Sequence, residues 1–166
     1  MEGKHIAEHF GRPTAASLQT SGRTAHEQLL SVNVVYTDPE ATALALQAAE
    51  ALAQDLQPTI HVRAMVCVPH RLSLGYPLVS IPFLVGLLRD IVERVGSTTC
   101  QYVLHIYACR SRIDTLLRVL RPSSLVVIGG RRRLWPTAET RLSKVVAATG
   151  HSVAFVDLKT CRIEAR

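Results

Sequence analysis

Aromatic residues make up only 5% of the sequence, and its four cysteines include no C-x-x-C pair. Sparse thiols at unrelated spacings argue against a disulfide framework and against the common structural zinc modules. Reduced cysteines in a cytosolic protein are expected. The opening residues, MEGKHIAEHFGRP, carry no apolar core of the kind a secretory signal needs. Residues 72–88 lack formal charge, yet Gly75, Pro77, Pro82 and Gly86 interrupt them, and the run falls short of the ~20 residues of a membrane span. That stretch reads as a loop running into a helix. Also missing are the G-x-S-x-G of a nucleophile elbow and the G-x-G-x-x-G of a dinucleotide fold. A phosphoacceptor domain would need an acid at the end of the third strand, where Ala108 and Cys109 stand. No enzyme constellation is visible, and a non-enzymatic protein is expected.

What is present is ordinary globular composition: 166 residues, 48% hydrophobic and 19% charged, the size of one domain. Lys+Arg of 19 against Asp+Glu of 13 gives +6, but the charge is not spread evenly. Residues 110–144 hold nine bases and two acids, a local net of +7, and the remainder is close to neutral. A basic third suits a phosphate-bearing partner. The arginines are not interleaved with aromatics, which disfavours base stacking and hence a nucleic-acid partner.

Residues 1–28 mix Gly, Ser, Thr, His and balanced charge without a period and read as a flexible tail, as do residues 161–166. Between them, residues 29–160 alternate strand-length apolar runs with helical patterns, the signature of βαβ units in an open parallel sheet covered on both faces. Five strands are expected, at 30–36, 60–68, 101–109, 125–128 and 152–158. Helices are expected over 39–56, 81–95, about 112–121 and about 137–149. In the first helix Leu44, Ala48, Leu52 and Leu56 form an apolar stripe, and the alanines let the helix lie close to the sheet; in the last, Leu142, Val145, Val146 and Thr149 are expected inside. Asp38-Pro39-Glu40 reads as an N-cap followed by a favourable first turn, and Ser111 with Asp114 as a variant capping box. The second strand puts His61, Arg63, Met65 and Cys67 on one face, which should therefore be only partly dry.

In an open parallel sheet the ligand crevice lies beyond the carboxyl ends of the strands, where strand order reverses. That brings together Thr37 and Asp38, Val68 with its following turn, and the run Gly129-Gly130-Arg131-Arg132-Arg133. Glycines permit close backbone approach, and guanidiniums offer paired donors to phosphate or carboxylate oxygens.

Three segments, VNVVYTDPEATALALQAAEAL, RPSSLVVIGGRRR and LSKVVAATGHSVAFVD, together with the order of elements, resemble the universal stress protein family over residues 29–158. The resemblance implies a five-stranded parallel sheet of order 3-2-1-4-5 and homodimers pairing through the last strand. It also implies a cytosolic stress-response role and, in one branch, ATP or AMP binding. Carried over residue by residue, Gly129 fits the first glycine of that branch's phosphate loop, while the second falls on Arg132. Glu139-Thr140 stands where a Gly-Ser pair would be, so that Thr140 keeps only the hydroxyl. The family's adenine-contacting acid corresponds to Thr37, with Asp38 one place later. The expected ligand set is thus Thr37, Asp38, Val68, Gly129, Gly130, Arg131, Arg132, Arg133 and Thr140. Two alternatives stand beside this one: an anion- or nucleic-acid-binding module using the arginine-rich surface, and a protein–protein adaptor using the apolar 74–88 segment.

Overall fold

The computed structural model describes residues 6–11, 31–53, 58–131, 136–160 and 162–165. In chain order the elements are β1 (Ile6–Gly11), β2 (Ser31–Val35), α1 (Pro39–Leu52), β3 (Thr59–Cys67), α2 (Ile81–Val95), β4 (Gln101–Cys109), α3 (Arg112–Val119), β5 (Leu125–Gly130), α4 (Ala138–Ala148), β6 (Ser152–Asp157) and β7 (Arg162–Ala165). The protein is α/β, with a mostly parallel sheet. The sheet has seven strands rather than the expected five, in the order β1-β4-β3-β2-β5-β6-β7. Both extra strands come from segments read as tails. β1 joins β4 in parallel and β7 joins β6 antiparallel. Their sequences carry no run of core residues, so an edge position with one solvated side suits them.

Strand order reverses between β2 and β5, and the helices divide accordingly. α1 and α2 pack on one face around Val32, Val34, Ile60, Val62, Leu104 and Ile106. α3 and α4 pack on the other around Val35, Val126, Ile128 and Phe155. This is the arrangement that right-handed crossovers impose when a chain winds outward in both directions from a central strand. Among the described residues no helix is long and apolar enough to cross a membrane. Within the uncharged 72–88 segment, Tyr76, Leu78 and Phe83 are 79%, 71% and 66% exposed.

Local signals operate as their chemistry requires. Asp38 Oδ1 accepts from Ala41 N at 2.9 Å, and Ser111 Oγ accepts from Asp114 N at 3.3 Å, so each caps its helix. The face that α1 buries agrees with expectation at Ala48 and partly at Leu44 but departs from it at Leu52. Ala41, Ala45, Ala48 and Ala49, with Leu46, are inside, whereas Leu52 is 45% exposed; Leu56 lies outside the described residues. The reason is distance: α1 crosses so close to β5 that a Cβ placed on Gly129 would lie 2.1 Å from the Ala41 carbonyl oxygen. Only small side chains fit such a contact. In α4, Leu142, Ser143 and Val146 are buried, while Val145 and Thr149 are exposed, because only one side of this helix meets the sheet.

Gly129→Ala is therefore expected to destabilise the fold by about 1–3 kcal/mol, since backbone rather than a flexible side chain must yield. Gly86→Ala, in the α2 interior with nothing within 4 Å of the added Cβ, should stabilise it by up to about 1 kcal/mol. Urea unfolding of the two variants checks both signs.

Candidate functional site

β2 and β5 are hydrogen-bonded neighbours, so the residues beyond their carboxyl ends meet. The Thr37 hydroxyl donates to the Gly129 carbonyl at 2.9 Å, and Thr42 Oγ1 accepts from Thr37 N at 3.3 Å. Asp38 is occupied by its cap. Gly129 and Gly130 are the last residues of β5 rather than part of a loop. Gly129 lies under α1, and Gly130 faces the Glu139 side chain of α4 and the Phe155 ring. No open glycine cradle exists at these two residues. Arg131 leaves the strand and reaches Glu40 at 3.2 Å, with the two side chains 57% and 71% exposed. Thr140 is set in the first turn of α4, where its amide donates to the Thr137 hydroxyl at 3.2 Å and the two hydroxyls lie 3.0 Å apart. Arg132 and Arg133 lie outside the described residues.

Val68 belongs to a different junction. Its amide donates to Cys109 O at 2.8 Å and its carbonyl accepts from Arg110 at 2.8 Å. Arg110 also donates to the carbonyls of Pro69 and Leu72, stapling the β3–α2 connection to the end of β4. Beside this staple is a cleft of about 300 Å³ at the β4–α3 turn, lined by Ala108 to Ser111, by Asp114, Thr115 and Arg118 of α3, and by Leu74. Arg112, at the start of α3, donates to the Tyr36 carbonyl at the end of β2. Its Nε is buried with no hydrogen-bond partner among the described residues, which leaves a donor at the centre of the sheet's carboxyl end. Burial, with the Asp38 charge nearby, raises the Tyr36 phenol above its ordinary value.

No protein-family model matches the chain, and no curated protein matches it.

The face carrying α3 also holds a polar layer. Arg63 is buried, and its Nε donates to Asn33 Oδ1 at 2.7 Å while a terminal nitrogen donates to the Tyr107 hydroxyl at 3.0 Å. Among the described residues no carboxylate pairs with it. Next to it, His61 Nδ1 and His105 Nε2 are 3.0 Å apart, and the His105 ring stacks between those of His9 and Tyr107. Burial, and then the unneutralised Arg63 charge, push His61 down to about 4 and His105 down to about 3. The hydrogen bond between the two rings requires a neutral acceptor, so protonating both would leave donor facing donor. The alternation in β3 signalled this layer, although nothing in it paired His61 with His105. Among the described residues no group of three or more His, Cys, Asp or Glu could hold a metal ion.

Between pH 7 and 5 the unfolded chain binds more protons at these histidines than the folded chain does, so stability falls on acidification. The slope approaches about 1.4 kcal/mol per pH unit for each histidine once the unfolded form is protonated. Urea midpoints across this window should drop for the natural chain and flatten for the His61→Gln, His105→Gln double variant.

Proposed function

We propose that the protein is a non-enzymatic regulatory protein of universal-stress-protein type, taking a phosphate-bearing small ligand, ATP or AMP being the first candidates, beyond the carboxyl ends of β2 and β5. Arginine side chains replace the glycine cradle as the phosphate contact. The observation that carries this reading is the position and state of Arg131. It stands where strand order reverses, and its only partner among the described residues is an exposed glutamate, a pairing that is weak in water and screened by salt. A phosphate can take that guanidinium from Glu40 at little cost and gain charge-assisted hydrogen bonds. Thr37 and Asp38 frame this site through the bonds already described and are not ligand contacts in this reading.

The same resemblance leads us to propose a homodimer formed edge to edge. The outer edge of β6 is taken by β7, so the pairing would use β7, the last strand of the sheet.

Calorimetric titration with ATP, AMP and a short single-stranded oligonucleotide tests the ligand. Saturable binding of a mononucleotide is expected, weakened about tenfold or more by Arg131→Ala. Absence of nucleotide binding overturns it. So does affinity for any polyanion alike with steep salt dependence, which would favour the general anion- or nucleic-acid-binding reading. Light scattering of the natural chain should give twice the monomer mass; a monomer at high concentration overturns the dimer.

A further inference from the structure

Two cysteines that the proposed ligand site does not use meet at the far side of the sheet's carboxyl end. Cys67 is the last residue of β3 and Cys109 the last of β4, and they are register partners in a parallel pair. Register partners in parallel strands project to the same face, and neighbouring strands run about 4.8 Å apart, within the Cα separation a disulfide accepts. The two Sγ atoms are 3.8 Å apart. Cys67 is exposed, whereas Cys109 is buried against the cleft at the β4–α3 turn. We propose that Cys67 and Cys109 form a reactive dithiol that low-molecular-weight disulfides of the glutathione class oxidise to a cross-strand disulfide.

The chemistry divides between the two sulfurs by their exposure. The Cys67 thiolate attacks one sulfur of the incoming disulfide RSSR, forming a mixed disulfide on Cys67 and releasing RS⁻, which takes up the proton Cys67 has lost. Cys109, deprotonated by water, then attacks the Cys67 sulfur, and a second RS⁻ leaves and is protonated. Two protein thiols and one RSSR become one protein disulfide and two RSH; the protein loses two electrons and the small disulfide gains them. Attack through the exposed sulfur and resolution by its buried neighbour follow the access rule for thiol exchange. Burial, with Cys67 alongside, pushes the Cys109 thiol up, while a Thr115 hydrogen bond and the Arg112 charge favour its thiolate. Resolution should therefore be the slower step and should quicken as pH rises. A structural metal site is a poor alternative reading, since no third ligand accompanies the pair among the described residues.

The test treats the reduced full chain with oxidised glutathione, alkylates the remaining thiols, and maps peptides by mass. The expected product has lost two hydrogens and joins the Cys67 and Cys109 peptides. Cys109→Ser should stop at one glutathione held on Cys67, and Cys67→Ser should lose both the adduct and the link, circular dichroism verifying that each variant is folded. If either variant fails to fold, a chain bearing Cys100→Ser and Cys161→Ser, which retains only the pair, must still form the link. Phenylarsine oxide, which bridges two neighbouring thiols, should protect Cys67 in the reduced natural chain from alkylation at one equivalent. A chain that takes up no glutathione and forms no link, a link from Cys67 to Cys100 or Cys161, or no protection by the arsenical would each overturn the proposal.

Discussion

The architecture turns on the contact between α1 and the bare backbone of Gly129. Strand order reverses beside β2, and the helix leaving β2 packs over β5 as well as β2 before the chain returns to form β3. A side chain on β5 at this level would hold α1 away from the sheet. With glycine there, and alanines on the facing side of the helix, α1 settles onto the strand and closes the face around Val32, Val34 and Ile60. The same contact takes away what a glycine at this position offers elsewhere: its backbone is covered by protein. Thr37 tightens the closure by bonding across to the Gly129 carbonyl. Packing and phosphate cradling compete for one glycine, and in this chain packing has it.

The opposite face is built on different terms. α3 is short, eight residues, and covers little of β1, β4 and β3. The residues beneath are those a half-wet surface tolerates: three histidines, a tyrosine and Arg63. A buried guanidinium without a carboxylate is costly unless its donors are met, and Asn33 and Tyr107 meet two of them. Its charge remains, and it is one reason that the neighbouring histidines stay neutral. β1 completes this layer through His9, while on the other face Glu8 pairs with Arg89 of α2. One edge strand is thus tied to both faces of the sheet.

How much of this was legible in the sequence depends on whether the cause was local. The α2 and β4 boundaries, Ile81–Val95 and Gln101–Cys109, follow from periodicity and punctuation by Gly96, and the two capping aspartate and serine residues declare themselves by position. The partly dry face of β3 was readable from alternation alone. What escaped depends on partners distant in the chain. β1 and β7 are held by pairing across a sheet edge, and IAEHFG and RIEA carry no hydrophobic pattern of their own. The α1 stripe holds at Ala48 and partly at Leu44 but fails at Leu52; the alanines announced a close approach, and what the sequence could not show is which strand comes that near. At the candidate site, Thr37 bonds across to Gly129 at the end of β5 and Arg131 reaches Glu40 of α1, whereas Val68 bonds instead to Cys109 and Arg110 at the end of β4. An arginine's choice of carbonyls has no signature in sequence.

That choice also redefines the basic third of the chain. Parallel strands that end together leave carbonyls pointing the same way, and each needs a donor. Arg110 and Arg112 supply donors at the ends of β3 and β2, and a guanidinium used in this way cannot swing out to a ligand. Its charge, however, is not cancelled by a carbonyl dipole as it would be by a carboxylate. The carboxyl edge of the sheet therefore retains a positive field from arginines that are structurally committed, while Arg131, paired among the described residues only with an exposed glutamate, is left to make contact. On the proposed reading an anion at this edge would be attracted by one set of arginines and bound by another, so that replacing Arg110 would weaken the scaffold and the field together, whereas replacing Arg131 would remove contact alone.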